Sequence, residues 1–217
     1  MKNANILAHR GWWDTADQKN TPFALQRALE AGYGIETDFR DLNGALVVSH
    51  DPPAGQDILG AETFFGLYSD LSAKGRLALN IKADGLQQML LDALQGAGVD
   101  LQSVYAFDMA VPDALGYLPT PIPAYTRISE YEAVPSFLDR AAGVWVDNFT
   151  GDFPQVAEAA RLMGQGHRVA IVSPELHRRD HRALWDDIAA AGLHENPLFE
   201  LCTDLPHMAA DFLGTDS

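Results

Sequence analysis

Short runs of β-branched and apolar residues alternate along this chain with longer segments rich in alanine and leucine. Such alternation is typical of βαβ units, in which a helix connects two parallel strands of one sheet. Eight runs are candidate strands: residues 5–10, 34–39, 77–82, 103–108, 122–127, 143–148, 168–173 and 197–203. Eight strands with helical crossovers in 217 residues favour a (β/α)8 TIM barrel over an open sheet.

The segments between these strands predict seven helices, near residues 21–31, 86–95, 110–117, 130–140, 154–163, 181–191 and 206–213. Thr21-Pro22 is typical of a helix start, because threonine caps the first turn and proline fits the first helical position. Residues 51–76 combine prolines, glycines and an aromatic pair without one period. We interpret them as a long connection over the barrel mouth.

The composition is that of an ordinary globular protein, with 47% apolar and 21% charged residues, and it predicts a single domain spanning 1–217. Thirty acidic and 15 basic side chains give a net charge of −15. This charge argues against nucleic acid or an anionic membrane as a partner. It gives no indication of an oligomeric state.

The beginning and the cysteine content of the chain predict its compartment. The apolar run Ile6-Leu7-Ala8 is too short for a signal peptide or a membrane span, so we expect no membrane insertion and a cytoplasmic location. Cys202 is the only cysteine, which excludes a disulfide framework and a thiolate zinc cluster. Any metal must be held by oxygen and nitrogen ligands.

Two imidazoles and two carboxylates lie at predicted strand ends in the first quarter of the sequence. Glu36 and Asp38 are two residues apart in one strand, so their side chains share a face, and His9 ends the neighbouring strand. Adjacent carboxylates repel each other unless a cation or a proton lies between them. The set predicts a metal-assisted hydrolytic site, with a buried structural pair as the alternative interpretation.

Asn43-Gly44 predicts a two-residue hairpin that returns the chain along the second strand toward His50. The ideal register places His50 opposite Thr37, which lies on the face away from the carboxylates. A bulge, or an early departure of the chain before Pro52-Pro53, is therefore needed to bring His50 to the site.

Two cationic residues and an amide are further candidates. Asn80 and Lys82 share one face of the third strand. Lys82 is suited either to bind a phosphate or to balance the charge of the two acids. Arg10 is suited either to bind an anionic substrate or to form an ion pair with a nearby acid. Six more polar residues lie at or just after other predicted strand ends, and the sequence predicts no individual role for any of them: Asp108, Tyr125, Arg127, Asp147, Glu175 and Asp204.

These residues together resemble the glycerophosphodiester phosphodiesterase family, a branch of the phosphatidylinositol-phospholipase-C-like barrels. The matching pieces are Ala8-His9-Arg10-Gly11, Asn20-Thr21, Gly34-Ile35-Glu36-Thr37-Asp38, Val47-Val48-Ser49-His50-Asp51 and Thr203-Asp204-Leu205-Pro206. Each piece alone is a weak indication, whereas the ordered set is specific. The match is close over the first quarter of the chain. Beyond it, the resemblance rests on the order of strands and helices expected for a barrel and on the motif Thr203-Asp204-Leu205-Pro206.

The resemblance implies a (β/α)8 barrel that binds a divalent cation, Mg²⁺ or Ca²⁺, through Glu36 and Asp38. His9 and His50 are implied as the general acid and base that cleave a small phosphodiester substrate. In that family a glycerol hydroxyl can attack phosphorus first and give a cyclic phosphate, which water then opens. Arg10 and Lys82 have the charge needed to offset that of the phosphoryl oxygens.

The chain departs from the family pattern at Asn80, where a third metal-binding glutamate is usual, and at Lys19, where an acid usually precedes the Asn-Thr pair. The Asn80 amide oxygen is still a possible ligand, but the lost negative charge weakens cation binding. Two alternatives therefore stay open. One is lyase-type cleavage that stops at the cyclic phosphate, and the other is a non-catalytic barrel that binds phosphate esters.

Overall fold

The computed structural model describes residues 2–54, 58–71 and 75–214. These ranges contain one nine-stranded sheet. Its strands are β1 (Ile6–His9), β2 (Gly34–Leu42), β3 (Ala45–Val48), β4 (Leu77–Ile81), β5 (Val104–Phe107), β6 (Tyr125–Ile128), β7 (Gly143–Val146), β8 (Arg168–Val172) and β9 (Phe199–Thr203). Each of the eight predicted strands overlaps one of these, and β3 is the return strand of the predicted hairpin.

Eight of the strands are parallel and follow the order β5-β4-β2-β1-β9-β8-β7-β6, while β3 pairs antiparallel with β2. The two ends of this order meet at one parallel bridge between Ala106 and Ala124, where the Ala106 N–H donates to the Pro123 carbonyl at 2.8 Å. The sheet is thereby almost closed on itself, and the predicted (β/α)8 barrel is confirmed.

Helices follow all but one of the barrel strands in the described ranges. They are α1 (Pro22–Glu30), α2 (Ala61–Asp70), α3 (Gln87–Gly96), α4 (Val111–Tyr117), α5 (Gln155–Gly164), α6 (Arg182–Ala190) and α7 (Pro206–Phe212). Thr21 caps α1 as predicted, since its side chain accepts a hydrogen bond from the Ala24 N–H. None of the described helices is both long enough and apolar enough to span a lipid bilayer.

The helix predicted at residues 130–140 is wrong, because this part of the chain forms turns instead. Ser129 and Glu132 form an isolated antiparallel bridge, and Phe137 adopts a positive φ of 56°. Pro135 also removes a backbone donor from the segment. Val134 of this segment is 85% exposed, whereas Leu138 packs against the core.

The connection predicted across residues 51–76 contains α2, which sequence reasoning did not assign. Phe64 and Phe65 of this helix are fully buried, and the Phe65 ring stacks on Phe39 of β2 with centroids 5.5 Å apart. The helix therefore covers the outside of the barrel beside β2 and β3, as the second crossover helix of a barrel should. Residues 55–57 and 72–74 of the connection lie outside the described residues.

Side chains alternate along the strands between the outer layer under the helices and the barrel interior. An apolar cluster fills the interior and consists of Leu7, Ala78, Tyr105, Phe107, Tyr125, Trp145, Ala170, Val172 and Cys202. In the described structure β2 adds no side chain to this cluster. Its positions of the same parity are Gly34, Glu36 and Asp38, so β2 presents a glycine and two acids to the barrel interior.

A buried ion pair lies at the amino-terminal end of the interior. Arg76 donates to the Tyr125 hydroxyl at 2.7 Å and to Glu200 Oε1 at 3.4 Å, and its guanidinium lies over the Tyr105 ring. Burial raises the pKa of Glu200 although Arg76 opposes this effect. This network closes the end of the barrel opposite to the predicted site.

Candidate active site

A cavity of about 460 Å³ opens at the carboxyl-terminal ends of the strands. Six of the seven predicted site residues line it: His9, Arg10, Glu36, His50, Asn80 and Lys82. The seventh, Asp38, is fully buried and does not line it. The parallel register explains this convergence, because His9 pairs with Glu36 across β1 and β2, and Asp38 pairs with Asn80 across β2 and β4.

Asp204, just after β9, orients His9. Its Oδ1 lies 2.5 Å from His9 Nδ1. Burial would raise the pKa of Asp204, but the hydrogen bond and charge of His9, together with Lys19 and Arg10, lower it. Because a carboxylate only accepts hydrogen bonds, Nδ1 carries the proton. When the ring carries no second proton, Nε2 is an acceptor, and it lies 3.7 Å from Glu36 Oε2.

Glu36 is buried beside Asn80, whose Nδ2 donates to Glu36 Oε1 at 3.1 Å. Burial raises the pKa of Glu36, and the neighbouring Asp38 raises it further, while His9, Arg10 and Asn80 act in the opposite direction. The carboxyl is thus held where its negative charge is poorly compensated by the protein alone.

Asp38 is surrounded by donors and cations. Arg10 Nε lies 2.9 Å from Oδ2, Lys82 Nζ lies 3.6 Å from Oδ1, and Asn20 Nδ2 donates to Oδ2 at 3.0 Å. Asn20 also accepts a hydrogen bond from the Thr37 hydroxyl at 2.8 Å. Lys82 additionally lies 3.4 Å from Asp108. Arg10 and Lys82, the two cations predicted to bind phosphate, therefore both line the cavity and both contact Asp38.

Three buried oxygens of this site have no hydrogen-bond partner among the described residues: Glu36 Oε2, Asp38 Oδ1 and Asn80 Oδ1. Leaving such atoms unpaired is unfavourable, and carboxylate and amide oxygens are the ligands that Mg²⁺ and Ca²⁺ prefer. No group of three or more His, Cys, Asp or Glu side chains in the described ranges is placed to hold a metal ion. The donor set that fits a hard cation is thus two acids and one amide.

His50 lies at the rim of the cavity because the chain leaves the β2–β3 hairpin early, as the predicted register required. The pairs Phe39–Val48 and Leu42–Ala45 define the predicted register, and β3 ends at Val48. His50 Nδ1 lies 2.9 Å from Asp51 Oδ1, and its carbonyl accepts a hydrogen bond from Arg40. Its side chain is 45% exposed, so it is held less firmly than His9.

Sequence reasoning assigned no individual role to Asp204 or to the residue that supports it, Glu175. Glu175 accepts hydrogen bonds from Ser173, from Thr203 and from the Asp204 backbone N–H, and so fixes the turn that carries Asp204. The motif Thr203-Asp204-Leu205-Pro206 was the sequence indication that Asp204 belongs to the site. His177 also lines the cavity, and no sequence pattern indicated it.

Gly11 positions His9 and Arg10 against α1. Its φ is +91°, and a Cβ on this residue would lie 2.6 Å from the Ala24 carbonyl carbon. The neighbouring Trp12 N–H donates to the Ala24 carbonyl oxygen at 2.9 Å. Only glycine permits this close approach of the loop to the first turn of the helix.

Solved structures with this fold include two from bacteria. A glycerophosphodiester phosphodiesterase from Agrobacterium tumefaciens str. C58 matches with a TM-score of 0.67 and 16% identity, covering 99% of this chain and 100% of that one. A glycerophosphoryl diester phosphodiesterase from Parabacteroides distasonis ATCC 8503 matches with a TM-score of 0.69 and 14% identity, covering 98% and 87%. Similarity at these identities establishes a shared fold. No family model and no curated protein matches the sequence.

Proposed function

We propose that this protein is a divalent-cation-dependent phosphodiesterase that hydrolyses a glycerophosphodiester or a related small alcohol phosphodiester. The observation that carries the proposal is the pairing of an oriented imidazole, His9 on Asp204, with the unpaired oxygens of Glu36 and Asn80 in one cavity. The two bacterial structures described above, both glycerophosphodiester phosphodiesterases, support it as proteins of the same fold.

Glu36, Asp38 and Asn80 are the residues that would hold the cation, Mg²⁺ or Ca²⁺. When bound, the cation offsets negative charge on the phosphoryl oxygens. Because Asn80 brings no charge, we expect weaker cation binding than three carboxylates would give. Arg10 and Lys82 lie at the same edge of the cavity and add positive charge there.

His9 and His50 exchange protons with the substrate in this proposal. The neutral His9 ring can accept a proton at Nε2, since Nδ1 donates to Asp204. As the adjacent substrate hydroxyl loses its proton to His9 and attacks phosphorus, the P–O bond to the other alcohol breaks and His50 supplies a proton to the departing oxygen; the two residues reverse their roles when water opens the cyclic phosphate. Both residues line the same cavity, as this exchange requires.

The direct test is turnover of a panel of small diesters by metal-stripped protein before and after addition of Mg²⁺ or Ca²⁺. We expect release of the alcohol and a phosphomonoester only with the cation present. Phosphorus NMR of the product separates hydrolysis from lyase-type cleavage, which would stop at a cyclic phosphate. The absence of turnover on every diester, with the metal demonstrably bound, would exclude the proposal.

Asn80 favours one further candidate, a non-catalytic barrel that binds phosphate esters. Its amide in place of an acid leaves the cation site with two negative charges. This alternative predicts that a phosphate ester binds equally well with and without a chelator, and that His9→Ala binds it normally. Cation-dependent binding together with turnover would favour the phosphodiesterase.

A further inference from the structure

A second histidine and carboxylate pair lies in the same cavity, on the wall formed by the ends of β7 and β8. His177 ends a short 3-10 helix, Pro174–His177, that directly follows β8. Its Nε2 lies 2.7 Å from Oδ1 of Asp147, the residue after β7. Asp147 is itself buried, and its Oδ1 also accepts the Asn148 backbone N–H at 2.8 Å. The proton-transfer scheme above does not use this pair.

The Asp147 contact fixes which nitrogen of His177 is available to a ligand. A carboxylate accepts, so Nε2 carries the proton and Nδ1 of the neutral ring is an acceptor. Nδ1 has no hydrogen-bond partner in the described part of the chain, and the side chain is 23% exposed. A ligand that satisfies this atom must therefore offer a hydrogen-bond donor.

The surroundings of His177 combine guanidinium groups with aromatic rings. Two guanidinium groups, those of Arg127 and Arg178, line the same cavity. The Phe149 ring packs against His177 with centroids 4.9 Å apart, and Trp145 and Phe107, which also line the cavity, stack on each other at 4.0 Å. Aromatic rings that flank a fixed acceptor suit the carbon and hydroxyl groups of a small polyol.

We propose that His177 is a specificity-determining residue whose Nδ1 accepts a hydrogen bond from the terminal hydroxyl of a glycerol-type alcohol in the substrate. The inference rests on the proposed phosphodiesterase function and adds the contact that selects the alcohol. His9, Glu36 and Asn80 lie on or beside β1, β2 and β4, whereas His177 and Asp147 follow β8 and β7. The phosphoryl group and the alcohol thereby occupy different walls of one cavity.

The test compares two p-nitrophenyl phosphodiesters, one of glycerol through its primary oxygen and one of propane-1,2-diol. Both keep the hydroxyl next to the ester, and only the glycerol ester has the terminal hydroxyl. We expect the wild type to favour the glycerol ester about tenfold in kcat/KM, chiefly through KM, the equivalent of one hydrogen bond. His177→Phe should abolish this preference.

His177→Leu removes the Nδ1 acceptor without adding an aromatic ring, and we expect the same loss of preference. His167→Phe is the matched control, because His167 precedes β8 at the opposite end of the barrel. It should retain the wild-type preference. No preference in the wild type, or an equal loss on both esters in the His177 variants, would overturn the role of His177.

Binding of the two products decides the same question if the wild type cleaves neither ester, a result that would overturn only the proposed function. Calorimetry with glycerol 3-phosphate and propane-1,2-diol 1-phosphate measures it directly. Tighter binding of glycerol 3-phosphate to the wild type, lost in His177→Phe, supports the inference. Equal binding of the two phosphates to the wild type overturns it.

Discussion

Glu36 occupies a position that favours cation binding at the expense of stability. Its Oε2 is buried without a hydrogen-bond partner among the described residues, and Asp38 places a second negative charge nearby. An ionised carboxyl in such a position lowers the free energy of unfolding unless a cation compensates it. Active-site residues commonly carry this cost.

We predict that Glu36→Gln stabilises the metal-free protein and removes its response to cations. The glutamine oxygen can still accept from Asn80, and its amide can donate to His9 Nε2, which lies near Oε2 in the wild type. The expected gain is about 1 kcal/mol, or roughly 2–4 °C in Tm for a chain of this size. Thermal unfolding with a chelator, and then with Mg²⁺ or Ca²⁺, measures both effects.

The matched control is Glu30→Gln, at the exposed end of α1. Its Tm should stay within about 1 °C of wild type, since exposed substitutions have small effects. A Glu36→Gln protein that is less stable than wild type in chelator would contradict the assignment of Glu36 as an uncompensated buried carboxyl.

His9→Asn separates the orienting contact of His9 from its chemistry. The asparagine Nδ2 can replace Nδ1 as the donor to Asp204, while the second ring nitrogen is lost. We expect turnover of a good diester substrate to fall about 10²- to 10⁴-fold, the usual contribution of a general acid or base. The Tm should change little. His167→Asn is the control, and a His9→Asn protein with more than a tenth of wild-type turnover would exclude proton transfer by His9.

The predicted site residues lie on or next to strands, and this is why sequence reasoning could place them. Strand parity put Glu36 and Asp38 on one face, and the structure has both on β2 with His9 paired to Glu36. Asp204 lies in a bend after β9 and His177 ends a short 3-10 helix after β8, and in neither place does a periodicity in the sequence fix the direction of the side chain. Their pairing with His9 and Asp147 depends on tertiary structure and could not be derived from spacing.

At the scale of elements, the loop after β1 sets the position of the site relative to α1. We predict that Gly11→Ala lowers the free energy of unfolding by about 2 kcal/mol more than Gly166→Ala. The two glycines have nearly equal φ, +91° and +90°, but a Cβ on Gly166 meets nothing within 4 Å. The difference in the free energy of unfolding between the two variants therefore measures the clash with Ala24, because the backbone strain that they share cancels.

Chemical denaturation and turnover are the two measurements for this pair. Gly166→Ala should keep wild-type turnover, whereas Gly11→Ala should lose it because His9 and Arg10 precede the displaced residue. Equal destabilisation in the two variants would show that the loop relaxes away from α1 without cost.

The two errors in predicted elements have different physical causes. Residues 130–140 have helix-like spacing but contain Pro135, and Glu132 forms an ion pair with Arg127 that holds the turn. Helix α2 has a glycine within it and only ten residues, and it is stabilised by packing of Phe64 and Phe65 on Phe39. Local chemistry therefore decides the first segment, whereas tertiary packing overrides local propensity in the second.

At the scale of the whole molecule, the buried ion-pair network and the candidate site are located at opposite ends of the barrel. The buried Arg76 network lies at the amino ends of the strands, and the candidate site lies at the carboxyl ends. The division agrees with the general organisation of (β/α)8 barrels. The overall architecture was predictable because the alternation of strands and helices extends over the whole chain and tolerates a local error.

Arg76→Met tests this division. Removing the cation leaves Glu200 buried without its partner, so we expect a loss of about 3 kcal/mol in the free energy of unfolding. Turnover below the unfolding transition should stay within about twofold of wild type. Arg161→Met is the control, because its pair with Glu158 is on the surface and contributes less than about 1 kcal/mol. A selective loss of turnover in Arg76→Met would show coupling between the two ends.

Cation-dependent cleavage of a phosphodiester is the most direct test of the proposed function. The measurement is phosphorus NMR of glycerophosphodiesters incubated with metal-stripped protein, with added Mg²⁺ or Ca²⁺, and with the Glu36→Gln variant as the control. We predict a phosphomonoester signal with wild-type protein and cation, and no product with chelator or with Glu36→Gln. Unchanged diester with cation bound to the wild type, or equal turnover in chelator, would contradict the proposal.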